Sequence, residues 1–304
     1  MAGGRVELDI QKSSGQSYRS LPTIAEESAK AQQMLSEKSK DEMTSHELKN
    51  LGITFNEKSD YIKAQEFLNA ALEKVEKETL SENEKNFIIA SCHYGLAICK
   101  RELGRPHAAI ALFIKASKQV EKISEEIKGL HDLRYVIARN IGISYLVIED
   151  YANAISNFSA AVHIAEKTGQ TGRIPAVKSY LGLSTVLAGK LTEGLKLLEE
   201  ARLLYPKNVR EESMDWAAHR YHMGRALENT NKPMDALVEY AESRRLRMQI
   251  DCNKIGLVYY HSRLSDSNIG CARVYLSLGR NLEAAASLDE VLASCKVLAS
   301  AGKT

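Results

Sequence analysis

Proline, aromatic residues and long apolar runs are scarce in this sequence. Proline numbers 5 in 304 residues, and only 6% of the residues are aromatic. Few residues therefore interrupt helices, and few favour strands. No apolar run approaches the roughly 18 residues that a membrane-spanning helix requires, and the start M-A-G-G-R-V lacks the apolar stretch of a secretory signal. We expect a helical protein that does not bind membranes.

Cysteine and net charge are also low. The five cysteines form no C-x-x-C pair and are odd in number, which argues against a disulfide framework or a zinc site. This usage favours reduced, mostly buried thiols in a cytoplasmic protein. The 41 basic and 39 acidic residues leave a formal charge of only +2, so no overall field attracts nucleic acid.

A pattern of small and large residues recurs along the chain. In its clearest copy the order small, large, large, small, large, small falls on Gly142, Tyr145, Tyr151, Ala154, Phe158 and Ala161. Small residues let two helices approach closely, and the bulky residues fill the grooves beside them. Self-similarity at a fixed period indicates stacked structural units.

Six copies of this pattern can be aligned on the position of Gly142. Glycine or alanine stands at positions 52, 97, 142, 182, 224 and 272, at intervals of 40 to 48 residues. We therefore predict six helix-turn-helix repeats, at about residues 45–80, 82–127, 130–168, 173–206, 211–249 and 254–299. An irregular helical bundle with chance periodicity is the alternative.

The pattern resembles the tetratricopeptide-repeat (TPR) superfamily. The intervals exceed the common 34-residue repeat of that superfamily, and N-L-G-I at Asn50 and N-I-G-I at Asn140 are similar to the long-helix subclass. Kinesin light chains, the Gα-binding Leu-Gly-Asn repeat proteins and Rap-type peptide sensors belong to that subclass. The resemblance implies an all-α fold, a right-handed α-solenoid of about six repeats.

The regions flanking the repeats differ in composition. Residues 1–22 are rich in Gly, Ser, Lys and Arg without periodicity, which predicts a disordered tail. A T-x-x-E capping box at Thr23 begins a capping helix predicted over 23–40. The solenoid is predicted over 41–299 and a short tail over 300–304.

The last predicted helix, about 281–300, carries little charge after Glu290. It is either an Ala-rich final helix with a modest exposed stripe or a contact surface for a partner or a second copy, through which the chain self-associates.

In this repeat class, fixed positions of the first helix of each repeat line a concave groove that binds extended peptides. Carried over by the resemblance, the groove candidates are Lys49, Asn50, Tyr94, Arg101, Arg139, Asn140, Tyr180, Tyr221, Arg225 and Arg273. Cations mixed with aromatic and apolar residues suit a protein or peptide segment that carries acidic and hydrophobic residues. The alternative is that these side chains pack against the adjacent repeat.

Two details refine the groove prediction. The resemblance implies that Asn50 and Asn140 hold a peptide backbone through their amides. Ile53 and Gly95 depart from the carboxylate clamp of chaperone-binding repeats, so capture of a chaperone's C-terminal peptide is disfavoured.

No catalytic constellation stands out. His219 and His222 lie three apart on a predicted helix, but no carboxylate or cysteine at ligand spacing completes a metal site. Arg244, Arg245 and Arg247 end another helix, where they complement its dipole or meet an acidic partner. We expect no enzyme activity, no cofactor and no bound metal.

The sequence thus predicts an adaptor or scaffold for protein–protein interaction. A motor or cytoskeletal assembly is its suggested setting, by analogy with kinesin light chains. A peptide-responsive regulatory sensor is the alternative, and an enzyme is a distant third.

Overall fold

The computed structural model describes residues 33–124, 127, 129–207, 210, 213–251 and 257–301. These residues contain twelve α-helices of 13 to 21 residues and no strand, in two compact units that divide at Gly169. Residues 33–37, within the predicted capping helix, are helical as well. The all-helical prediction is confirmed. The first unit contains α1 (Ser45–Glu57), α2 (Tyr61–Val75), α3 (Glu82–Glu102), α4 (Pro106–Val120), α5 (Leu130–Val147) and α6 (Tyr151–Lys167).

The second unit begins with a 3-10 turn at Thr171–Arg173. It continues with α7 (Ile174–Leu187), α8 (Leu191–Leu204), α9 (Met214–Asn229), α10 (Pro233–Met248), α11 (Leu257–Ser277) and α12 (Asn281–Ala301). Odd-numbered helices are the A helices of the repeats, and even-numbered helices are the B helices. The predicted tail 1–22 and the Thr23 capping box lie outside the described residues, as do the last three residues of the tail predicted over 300–304.

Each repeat is a helical hairpin, and within each unit the next A helix packs on it. The two helices of every pair contact each other, and α3 also packs against both α1 and α2. Capping boxes at Thr44 with Glu47 and at Ser81 with Glu84 begin α1 and α3. Pro106 begins α4. The backbone N–H at the first position of a helix has no helical acceptor, so proline, which lacks this N–H, is tolerated there.

All six hairpin turns share one geometry. In each turn, one residue has a positive φ, and the following N–H donates to a carbonyl five residues earlier, as Asp150 does to Tyr145 at 2.9 Å. This pattern closes the C-terminus of an α-helix. The positive-φ residues are Ser59, Gly104, Glu149, Gly189, Asn231 and Gly279. Because glycine occupies only three of these positions, the residue types alone did not predict the positive φ shared by the six turns.

The small residues lie where the A and B helices cross. A Cβ added at Gly142 would lie 2.7 Å from the Phe158 ring, while Ala154, Phe158 and Ala161 are fully buried. The same approach joins glycine to a residue 16 positions later at Gly52–Leu68, Gly182–Leu198 and Gly224–Tyr240. The register predicted from the sequence is therefore the register of the structure.

Overpacking this crossing tests the register. Ala154→Trp should lower the free energy of unfolding by about 1–3 kcal/mol or more, because a fully buried alanine leaves no room for an indole. Ala160→Trp is the matched control, since Ala160 is exposed on the same helix, and it should change stability by less than about 1 kcal/mol. Urea unfolding followed by circular dichroism measures both variants. Equal losses would mean that the helix crossing lies elsewhere.

Candidate binding surface on the A helices

In the first unit, three predicted groove residues form one hydrogen-bonded group. Arg101 Nη1 donates to Asn140 Oδ1 at 2.6 Å, and Asn140 Nδ2 donates to the Tyr94 hydroxyl at 3.2 Å and to the Val136 carbonyl at 2.8 Å. The group joins α3 to α5, because Tyr94 and Arg101 lie on α3 and Asn140 on α5. It fixes the guanidinium of the half-buried Arg101, which also pairs with Glu102 at 2.8 Å.

The other candidates of this unit differ in exposure. Asn50 is exposed, whereas Lys49 is fully buried and Arg139 is buried. Tyr94 and Asn140 are buried as well. Burial of these four side chains agrees with the alternative prediction, in which they pack against the adjacent repeat. Their contact with a partner stays a prediction.

The Lys49 ammonium is unusual among these groups. Its Nζ has no hydrogen-bond partner among the described residues. Burial lowers the pKa of Lys49 from 10.5 to about 7. Burial in turn raises the pKa of the Cys92 thiol to about 12, so the thiol is neutral at neutral pH and provides no counter-charge.

In the second unit, two predicted tyrosines pack on the same histidine. The half-buried rings of Tyr180 and Tyr221 lie 4.3 Å and 6.0 Å from the ring of His222. Ser179 Oγ lies 3.0 Å from Nδ1 of both His219 and His222. Since a hydroxyl has one proton, at least one of the two imidazoles must donate to Ser179.

The predicted cations of this unit have different environments. Arg273 on α11 pairs with Glu228 on α9 at 2.8 Å and also donates to the Tyr240 hydroxyl at 3.1 Å. Burial raises the pKa of Glu228, but hydrogen bonds from Arg273 and Tyr240 hold it below its usual value. Arg225 is half-buried and has no ion pair among the described residues. Its charge also lowers the pKa of Glu228, but that carboxylate pairs with Arg273, so Arg225 has no carboxylate of its own within the described part of the unit.

Sequence reasoning did not identify Glu228 as the partner of Arg273. It also did not identify the contacts of Asn56, whose Nδ2 donates to the Gly95 carbonyl at 2.9 Å and whose Oδ1 accepts from Cys99 Sγ at 2.8 Å. The signal that could have found such pairs is a polar residue in one repeat with a second polar residue at a matching position in the next repeat. Glu228 and Arg273 are 45 residues apart, within the range of the repeat intervals.

The histidine and arginine clusters are held by contacts within the chain. The two Nδ1 atoms of the histidine pair face Ser179, and the described residues contain no group of three His, Cys, Asp or Glu side chains that could hold a metal ion. Arg247 is buried and donates to Ser267 and to the Arg263 carbonyl. Arg244 and Arg245 pair with Glu290 and Glu242. None of the helices in the described ranges is long and apolar enough to cross a membrane.

Comparison with solved structures establishes the fold as TPR-like. BtubC (BKLC) from P. vanneervenii matches with a TM-score of 0.56 at 15% identity, over 78% of this chain and 92% of that one. A Rap protein complexed with competence and sporulation factor matches with a TM-score of 0.69 at 13% identity, over 90% and 72%. NprR in complex with its cognate peptide NprX matches with a TM-score of 0.61 at 19% identity, over 82% and 66%.

These likenesses concern the fold, because all three identities are below 20%. No protein-family model matches the sequence, and no curated protein sequence matches it.

Proposed function

We propose that this chain is a protein-binding adaptor that holds a partner segment carrying acidic and apolar residues. The observation that carries the proposal is Arg225, a half-buried cation on α9 without an ion pair among the described residues. One turn before it on the same helix lies the half-buried ring of Tyr221. A guanidinium one helical turn from an aromatic ring suits a carboxylate followed by an apolar side chain.

Binding rather than catalysis is part of the proposal. Ser179 with His219 and His222 is the nearest approach to a nucleophile and its base, but Ser179 is 1% exposed and a substrate would not reach its hydroxyl. Cys92 and Cys99 are buried, and burial raises the pKa of both thiols to about 12. Neutral, buried thiols are poor nucleophiles.

A peptide-responsive regulator is the second candidate function. It is supported by the fold likeness to a Rap protein complexed with competence and sporulation factor and to NprR in complex with its cognate peptide. Both candidates require that a segment bind the A helices, and they differ in the effect that binding has on the rest of the chain. A cytoplasmic setting within a motor or cytoskeletal assembly stays a prediction from the resemblance to kinesin light chains.

Charge reversal at Arg225 tests the binding site. Synthetic peptides in which Asp or Glu alternates with Leu or Phe serve as probes, with the same peptides carrying Lys in place of the acids as the comparison. We expect the acidic set to bind and Arg225→Glu to weaken binding at least tenfold, which corresponds to about 1.4 kcal/mol. Fluorescence anisotropy of labelled peptides measures both affinities.

Arg245→Glu is the matched control for this experiment. Arg245 lies on the B helix of the same repeat and is exposed beside Glu242, so the same change in charge occurs away from the proposed site. Its effect on peptide affinity should be less than about threefold, or 0.7 kcal/mol. If the control weakened binding and Arg225→Glu did not, the partner would lie on the B helices and the proposal would fail.

A further inference from the structure

B helices in this fold bury the same three positions. These positions lie 4, 7 and 11 residues after the small residue at the crossing of the A and B helices. In the four B helices whose following A helix lies in the same unit, all of these side chains are at most 3% exposed. They are Leu68, Ala71 and Val75 on α2, Phe113, Ala116 and Val120 on α4, Leu198, Ala201 and the C-cap Tyr205 of α8, and Tyr240, Ser243 and Arg247 on α10.

The following A helix accounts for this burial. Contacts join α2 to α3, α4 to α5, α8 to α9 and α10 to α11. Within a repeat, the B helix buries only the side chains at its crossing with its own A helix. The next repeat buries the rest of its apolar face.

Helix α12 leaves the same three positions open. Its small residue is Ala284, 1% exposed, and the equivalent positions are Leu288, Val291 and Cys295. Leu288 is 42% exposed, Val291 is half-buried and Cys295 is exposed. This face is built like the covered faces, but the described residues include no helix after α12 that covers it.

The open face extends along α12 and onto α11. Ala285, Leu292 and Ala299 continue it at helical spacing, and Leu292 is 57% exposed. On α11, Ile269 and Leu276 occupy A-helix positions whose equivalents in the first repeat, Lys49 and Asn56, are buried. They are 38% and 54% exposed. The two helices pack on each other, and we call their exposed apolar residues together the end face.

The charges on α12 indicate what covers the end face. Glu283 pairs with Arg280 at 2.7 Å, and Glu290 pairs with Arg244 at 2.5 Å. The other two ionisable side chains of the helix with a charge at neutral pH, Asp289 and Lys296, have no ion pair among the described residues. They are seven residues apart, and each directly follows a residue of the stripe, Leu288 or Cys295. Opposite charges therefore flank the same edge of the stripe, two turns apart.

We propose that the end face binds a second copy of this chain through antiparallel pairing of α12 with α12. A register that sets Leu292 against Cys295 of the second copy also sets Leu288 against Ala299. In an antiparallel pair, positions at the same edge of the two stripes face each other. Each Lys296 then comes within reach of Asp289 of the second copy, and the two-fold axis makes two such ion pairs.

The size of the end face sets the expected affinity of the dimer. A 21-residue helix is roughly 30 Å long, and two helices from each copy form an interface near the lower limit for stable complexes, about 1,200 Å². We expect a dimer that dissociates in the micromolar range, roughly 1–50 µM. This inference does not depend on the proposed function, because the peptide assay at Arg225 measures a different surface.

Two single charge reversals and their mixture test the pairing. Lys296→Glu places two acids opposite each other, and Asp289→Lys places two lysines opposite each other. Each variant alone should dimerise at least tenfold more weakly than the wild-type chain. An equimolar mixture should recover wild-type affinity, because every pair in the mixed dimer is again acid with lysine. Sedimentation equilibrium across micromolar concentrations measures all four samples.

The mixture also separates lost pairing from lost folding, because a misfolded variant would not be rescued by another. The proposal is overturned if the wild-type chain stays monomeric throughout, if both single variants dimerise like the wild type, or if the mixture stays as weak as its components. A higher-order assembly insensitive to both substitutions would place self-association on another face.

Discussion

Lys49→Met should raise the free energy of unfolding by about 3–5 kcal/mol below pH 7, with little gain near pH 10. Lys49 is fully buried, and its Nζ has no hydrogen-bond partner among the described residues. The folded chain therefore desolvates the ammonium without compensation. Methionine has a similar unbranched length and adapts to irregular packing, so it removes the charge without opening a large cavity.

The pH dependence follows from the two pKa values of Lys49. The unfolded side chain takes up its proton below its ordinary pKa of 10.5, whereas burial delays uptake in the folded chain until about pH 7. Between these values the unfolded state binds more protons, so stability rises with pH from about 7 to 10.5. The penalty of the buried charge is complete below pH 7 and is relieved as the pH rises.

Urea unfolding at several pH values between about 6 and 10 measures this difference, within the window set by the two pKa values. Lys58→Met is the control, because Lys58 is exposed in the turn after the same helix, and it should change stability by less than about 0.5 kcal/mol at every pH. A constant difference between Lys49→Met and the wild type across this range would mean that Lys49 has an ordinary pKa when folded.

Periodicity explains why the fold could be predicted from the sequence. Gly142, Ala154 and Phe158 are local signals, since each needs only its own helix pair to be interpreted. The same small–large pattern in every repeat fixes which faces of the A and B helices meet. The backbone geometry of the A–B turns was not predicted, because the positive φ of Ser59 or Glu149 is imposed by closure of the hairpin rather than by the residue's own preference.

The candidate surface was harder to predict, because burial of an A-helix residue depends on the next repeat. Arg101 and Asn140 are 39 residues apart and meet side chain to side chain. Whether such a position faces solvent or a neighbour is decided by the size and chemistry of a residue that no local pattern specifies. Arg273 illustrates the consequence, because the sequence shows a free cation and the structure shows an ion pair with Glu228.

His219→Gln should abolish most of the acid sensitivity of the second unit, an effect of about 3 kcal/mol between pH 6.5 and 4. Burial lowers the pKa of His219 to about 3, and Arg220, Arg202 and Arg210 act in the same direction. The unfolded imidazole takes up its proton near pH 6.5, so below that pH the unfolded state binds more protons and stability falls until about pH 3. Above pH 6.5 both states are neutral, and glutamine, which can still hydrogen-bond to Ser179, should behave like the wild type.

The fluorescence of Trp216 reports unfolding of the region around His219. It is the single tryptophan of the chain, and its ring stacks on His219 at 5.1 Å. Urea unfolding followed by its fluorescence at pH 7 and pH 4 should therefore show a large loss of stability in the wild type and a small loss in His219→Gln. His163→Gln, at an exposed histidine of α6, should lose as much as the wild type. If all three lost the same amount, another group would cause the acid sensitivity, and His219 would be protonated in the folded chain without penalty.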